Sequence, residues 1–201
     1  MKTLDFEQGS IEWFEARKGI PTASRFSDIV TAKTGAPSAS SIKYAAELLV
    51  ERLGFETPHF TTEAMEHGIV TEKTARDWFE FQYDVDVTQV GMVTTDDGRI
   101  ACSPDGLICV GGSPTYGWEC KCPLPKTHML YLMEQKLPDQ YKQQVHGSMW
   151  VCDLDAWHFM SYVEGLEPFS ILVERDDYTE KLGKAITQFA EELDQLAQLH
   201  A

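Results

Sequence analysis

Two runs decide how the chain is read: Ser103-Pro104-Asp105-Gly106, and Trp118-Glu119-Cys120-Lys121-Cys122, with thirteen residues between Asp105 and Glu119. Pro104 and Gly106 bracket Asp105 in a turn. The segments Gly106 to Val110 and Tyr116 to Cys122 are short, apolar and punctuated by Gly and Pro, which predicts successive antiparallel strands. Side chains alternate along a strand, so Glu119 and Lys121 share one face while Trp118, Cys120 and Cys122 share the other. That alternation predicts a chemical face and a core face. Asp105 and Glu119 can hold a hard divalent cation such as Mg²⁺ through carboxylate oxygens, leaving coordination positions for water and a phosphate oxygen. Lys121, beside that water, can orient or deprotonate it and offset the charge building on the phosphate.

Upstream, the spacing predicts a helix over Thr62 to Phe81 in which Met65, Gly68, Glu72, Ala75 and Phe79 share one face. Glu72 therefore points toward the core side, a position that asks for a buried partner such as a cation. Ser10 is placed to cap a helix carrying Trp13, Phe14 and Arg17, and Thr22 to cap another holding Phe26, Ile29 and Val30. A further helix spans Ser40 to Leu53, closed by Gly54. Val85 to Val90 alternates as a strand, and Arg99 to Cys102 is short and apolar. Downstream, a helix from Asp139 to Cys152 carries Gln144, strands follow at Ala156 to Val163 and Phe169 to Glu174, and a helix over Thr179 to Leu199 aligns Leu182, Ile186, Phe189, Leu193 and Leu196. This order predicts an α+β core with helices packed against a mixed sheet.

The 201 residues are 43% hydrophobic and lack any linker long enough to separate two units, which predicts a single domain over residues 1–201 and excludes disorder. No run approaches the roughly 20 apolar residues that cross a bilayer, and the N-terminus lacks the features of a secretion signal, so a cytoplasmic protein without a membrane partner is expected. Lys plus Arg 17 against Asp plus Glu 32 gives a net charge of −15, which ordinarily opposes a nucleic-acid partner. A basic groove is nevertheless compatible with an acidic exterior. The five cysteines have no paired Cys-x-x-Cys spacing and read as buried thiols, and His128, His146 and His158 share no zinc-like spacing with them.

The chain order of helical Glu72, turn Asp105, strand Glu119-x-Lys121 and helical Gln144 matches the PD-(D/E)xK nuclease arrangement. The sequence resembles the lambda exonuclease family, also called YqaJ-like. The likeness runs from Trp13, Arg17, Gly19 and Thr22-Ala23-Ser24 through Glu72, Ala101 to Leu107 and Glu119 to Pro123, to Gln144-Val145, Ser148-Met149-Trp150 and Glu174-Arg175-Asp176. It covers nearly the whole chain. The resemblance implies a restriction-endonuclease-like core with a central mixed β-sheet flanked by helices. It also implies a Mg²⁺-dependent exonuclease that degrades one strand of linear duplex DNA from the 5′ end, releases mononucleotides and leaves a 3′ overhang. Two Mg²⁺ ions are expected, with Mn²⁺ able to substitute, together with a homotrimeric ring around the DNA and a single-strand annealing partner in phage-type recombination.

Residue by residue, the resemblance makes Asp105, Glu119 and the Cys120 backbone carbonyl metal ligands, with Glu72 serving a second site and Lys121 acting on the attacking water. Arg17, Ser24, Ser103 and Gln144 match positions that contact the terminal 5′ phosphate, a chemistry suited to a charged fork and hydroxyls. Met65 matches the apolar wedge that splits the final base pair. Val145-His146 after Gln144 departs from the tyrosine frequent there, and the Asp105-to-Glu119 connection is longer than in lambda exonuclease, its extra length assigned to a surface excursion at Gly111 to Thr115. Two alternatives stay open: an endonuclease on the same core, which would cut closed circles, and a non-catalytic DNA-end-binding subunit, against which the intact Asp105, Glu119 and Lys121 argue.

Overall fold

The computed structural model describes residues 1–55 and 63–200, with residues 63–70 described by backbone alone. Its centre is the hairpin formed by β5 (Gly106–Val110) and β6 (Ser113–Lys121). Gly111 and Gly112 form the connection, both at positive φ, as the twist of a two-residue hairpin turn requires. Gly106 pairs with Trp118, so Asp105, just before the first, and Glu119, just after the second, come side by side at the opposite end from that turn. The expected excursion at Gly111 to Thr115 is thus narrower: two turn residues, followed by the first residues of β6.

β6 also pairs in parallel with β7 (Ala156–Ser161), from Tyr116 opposite Ala156 to Lys121 opposite Ser161. Parallel neighbours need a crossover. Here it contains α5 (Pro125–Glu134) and α6 (Lys142–Cys152). Antiparallel β8 (Phe169–Glu174) and β2 (Val87–Thr88) complete a five-stranded mixed sheet in the order β2-β5-β6-β7-β8. A smaller antiparallel sheet orders β1 (Lys2–Leu4), β3 (Met92–Thr94) and β4 (Ala101–Cys102).

Helices cover both faces of the large sheet. On one side α2 (Phe26–Ile29), α3 (Ser41–Arg52), α6 and α7 (Asp177–His200) build a core around Phe26, Tyr44, Met149, Trp157, Phe159, Leu182 and Ile186. On the other, Ala75 and Phe79 of α4 (Glu63–Tyr83) meet Val87, Ile108, Trp118, Cys120 and Met160. Consequently β6 is buried on both faces, with Trp118 0% and Glu119 1% exposed, and the expected alternation holds: Glu119 and Lys121 lie on the α6 side while Trp118 and Cys120 pack against α4.

Other differences have local causes. Ser10 caps α1 (Ile11–Arg17) as expected, accepting from Trp13 N. Thr22 takes the N-cap position of a 3-10 turn at Ala23–Arg25 that precedes α2, but its side chain makes no cap hydrogen bond and its hydroxyl instead accepts from Arg17. A similar turn at Asp139–Tyr141 precedes α6. The Val85 to Val90 strand shrinks to Val87–Thr88, behind a left-handed Asp84 and with Val87 N donated to the Glu80 side chain. α7 starts earlier than its apolar stripe because Asp176 accepts from the amides of Tyr178 and Thr179. β1, β3 and α5 had no periodic signal. All five cysteines are free thiols; Cys102, Cys120 and Cys152 are buried as expected, whereas Cys109 is exposed and Cys122 half-buried.

α6 lies close to α2 because Gly147 lacks a side chain: a Cβ there would sit 2.2 Å from the Phe26 ring. Valine has a helix propensity near that of glycine, so Gly147→Val isolates this clash. It should cost about 1–3 kcal/mol and lower Tm by several degrees in a thermal melt; an unchanged Tm would contradict this packing.

Candidate active site

Glu119 and Lys121 reach the α6 side of β6, and α6 supplies Gln144 opposite them. Glu119 Oε1 accepts from Lys121 Nζ and, at 2.6 Å, from Gln144 Nε2. Its other oxygen, Oε2, is buried and has no hydrogen-bond partner. Asp105 Oδ2 accepts from Cys120 N at 2.8 Å, which locks the turn aspartate onto the neighbouring strand.

Removal from water, then the charge of Asp105, pushes the Glu119 carboxyl up to about 7. Burial also raises Asp105, against the opposing pull of Lys121 and the Cys120 amide. Glu72 is pushed up to about 8 by burial and then by Asp105 and Glu119. For Lys121, burial acts to lower the ammonium, but Glu119 and Asp105 outweigh it and hold the pKa well above its ordinary value. Lys121 is therefore a cation that donates, with its Nζ 5.5 Å from the Tyr141 ring centroid. Among the described residues, no three His, Cys, Asp or Glu side chains close into a cation cage. Asp105 and Glu119 form an acidic pair with a spare buried oxygen; Glu72 interacts with both without completing a cage. An acidic pair with its protonated forms favoured and one acceptor unused suits a hard divalent cation that also takes backbone and water oxygens.

Next to this pair lies a second polar cluster. On α1, Trp13 and Arg17 are four residues apart and share a face, so the guanidinium stacks over the indole at 4.2 Å. Arg17 Nη1 donates to Ser103 Oγ at 2.8 Å, and Nη2 donates to Thr22 Oγ1 at 3.2 Å and Ser24 Oγ at 3.4 Å. Trp13 Nε1 also donates to Ser103 Oγ and to the Gly91 carbonyl. Among the described residues Arg17 makes no ion pair; the nearby Glu15 pairs with Lys18 instead. An Arg held by neutral hydroxyls keeps its charge available for an anion. Ser103 stands two residues before Asp105, so one short turn joins the clusters.

Arg17, Ser24 and Ser103 thus meet as expected. Gln144 does not join them: its amide donates to Glu119. The side chain of Met65 lies outside the described residues. Sequence reading assigned no site role to Trp13, Thr22, Arg76 or Tyr141. Trp13 and Thr22 lie within the stretches that carry the resemblance, and Arg76 stands four residues from Glu72; Tyr141 carries no such signal.

The raised carboxyls link stability to pH. Between the ordinary carboxylate range and about 8, the folded state binds more protons than the unfolded chain through Glu119 and Glu72, so their contribution is present at low pH and lost as pH rises. In a chelating buffer, Glu72→Gln should raise Tm at pH 8 and change it little at about pH 5. An equal effect at both pH values, measured by thermal melts, would contradict this electrostatic arrangement.

The YqaJ-like viral recombinase domain profile matches residues 12–155. No curated protein matches the chain. Among solved structures, the chain is similar to an alkaline exonuclease, LHK-Exo, from Laribacter hongkongensis, at 30% identity and a TM-score of 0.82, covering 94% of this chain and 95% of that one. LHK-Exo in complex with dAMP matches at 31% identity and a TM-score of 0.80 over 94% and 95% of the two chains. A phage related exonuclease from Haemophilus somnus 129PT shares the fold at 15% identity, with a TM-score of 0.68 over 90% and 96%. With its acidic pair, Lys121 and Gln144 all inside the matched residues, the chain belongs to the YqaJ-like viral recombinase family.

Proposed function

We propose that this protein is a Mg²⁺-dependent exonuclease that digests linear duplex DNA from the 5′ end, releasing mononucleotides and leaving 3′ overhangs for recombination by single-strand annealing. The observation that carries this reading is the junction of two clusters through Ser103-Pro104-Asp105: an acidic pair with an unused buried oxygen, and an Arg17 fork backed by hydroxyls. The first suits a phosphodiester under attack; the second suits a terminal phosphate. Similarity to LHK-Exo, an alkaline exonuclease also solved with dAMP, supports a nucleotide-releasing reaction.

In this reading Asp105, Glu119 and the Cys120 carbonyl hold Mg²⁺, and Glu72 serves a second ion; Mn²⁺ can substitute. When bound there, the metal supplies Lewis acidity at the phosphate and lowers the pKa of water. Lys121, held as an ammonium, donates to the attacking water and to charge developing on the phosphate. Gln144 fixes the Glu119 rotamer through Oε1 and so leaves Oε2 free for coordination. Arg17, Ser24 and Ser103 hold the 5′ phosphate, which sets the register of the strand against the acidic pair. Met65 is the proposed wedge. A homotrimeric ring would supply processivity and confine positive potential to its channel, reconciling DNA binding with a net charge of −15. A single-strand annealing protein is the proposed partner.

The test is a time course with Mg²⁺ on 5′-phosphorylated linear, 5′-hydroxyl linear and closed circular duplexes. Mononucleotides from the phosphorylated linear substrate with intact circles are expected. Cut circles would favour the endonuclease, and end binding without digestion would favour a binding subunit. Lys121→Ala should lower kcat by about 10²- to 10⁴-fold while end binding persists; full activity would contradict its role. Arg17→Ala should reduce the preference for a 5′ phosphate by about 10- to 100-fold, read from the kcat/KM ratio of the two linear substrates.

A further inference from the structure

Arg76 follows Glu72 by four residues on α4 and therefore shares its face of the helix. Its positive charge acts on Glu72 and Asp105 alike, so the guanidinium is within electrostatic reach of both carboxyls. Nevertheless, Arg76 Nη1 is shielded from solvent and has no hydrogen-bond acceptor among the described residues. A buried guanidinium N–H without an acceptor is costly, because this group has no other means of satisfying its donor. At the same site, Glu119 Oε2 is a buried acceptor without a donor. These two unpaired atoms have opposite requirements: the oxygen suits a cation, and the N–H suits an anion. A cation bound together with a phosphate satisfies both.

We propose that Arg76 is a further catalytic residue, donating Nη1 to a non-bridging oxygen of the phosphodiester being hydrolysed. This inference rests on the nuclease reading above. In that role Arg76 would add a second cation beside Lys121 and would stabilise the charge that grows on the phosphoryl oxygens during in-line attack. A guanidinium suits the task because its planar fork keeps a donor aimed at one oxygen while remaining fully charged.

The experiment compares wild type, Arg76→Met, Arg76→Lys and the exposed control Lys73→Met on 5′-phosphorylated linear duplex, recording kcat, KM and the half-saturating Mg²⁺ concentration, with thermal melts to verify folding. Arg76→Met should lower kcat by about 10²-fold with KM and Mg²⁺ dependence nearly unchanged. Arg76→Lys, which keeps the charge without the fork, should recover part of the loss, and it gives the same comparison if the Met variant does not fold. Lys73→Met should match wild type. An unchanged kcat in both Arg76 variants would overturn the proposal. So would a raised Mg²⁺ requirement with kcat restored at high Mg²⁺, since Arg76 would then serve only to hold Glu72. Inactivity of the wild type on every substrate would instead overturn the nuclease reading on which the proposal depends.

Discussion

The structure turns on a carboxylate kept out of water. Glu119 lies in the middle of a five-stranded sheet covered by helices on both faces, and its side chain is almost completely buried. Burying a carboxylate is unfavourable unless its oxygens are satisfied. One oxygen is satisfied by Lys121 and Gln144, and the other is not. Asp105 adds a second acidic group alongside, which raises the cost further. A fold that retains such a pair gives up stability there, the kind of local conflict expected where chemistry takes precedence over packing.

The topology explains how the arrangement is maintained. The hairpin register sets Asp105 beside Glu119, and the parallel pairing of β6 with β7 forces a crossover that returns α6 across the same face. α6 then delivers Gln144 to Glu119 while its Gly147 lets it settle onto Phe26. From the other side of the sheet, α4 is anchored by Ala75 and Phe79 and thereby brings Glu72 and Arg76 to the acidic pair. Each polar side chain of the site is therefore positioned by a neighbouring apolar contact. The Arg17 cluster follows the same rule, with Trp13 stacked against the guanidinium and Ser103 tying it to the turn that carries Asp105.

Much of this was legible in the sequence because strong local signals coincided with the chemistry. Alternation around Glu119-Cys120-Lys121 identified the strand, the three- and four-residue steps around Glu72 identified the helix, and the order of the acidic residues pointed to the family. What was not legible depended on tertiary placement. Alternation shows which side chains share a face but not what covers that face, so the near-complete burial of Glu119 under α6 is visible only in the structure. Thr22 has the sequence of a cap, yet Arg17 claims its hydroxyl. Gln144 was grouped with the phosphate-binding residues by resemblance, whereas the crossover directs its amide to Glu119. β1 and β3 have too few residues for periodicity to emerge, and α5 begins at a proline with an irregular apolar pattern.

The proposed cation site at the buried acidic pair is open to direct test. A crystal structure of the protein soaked in Mn²⁺, with anomalous scattering recorded at the manganese edge, addresses it directly. An anomalous peak in coordination contact with Glu119 Oε2 and an Asp105 oxygen is expected. A well-ordered site in which those oxygens remain free of metal at saturating Mn²⁺ would contradict it.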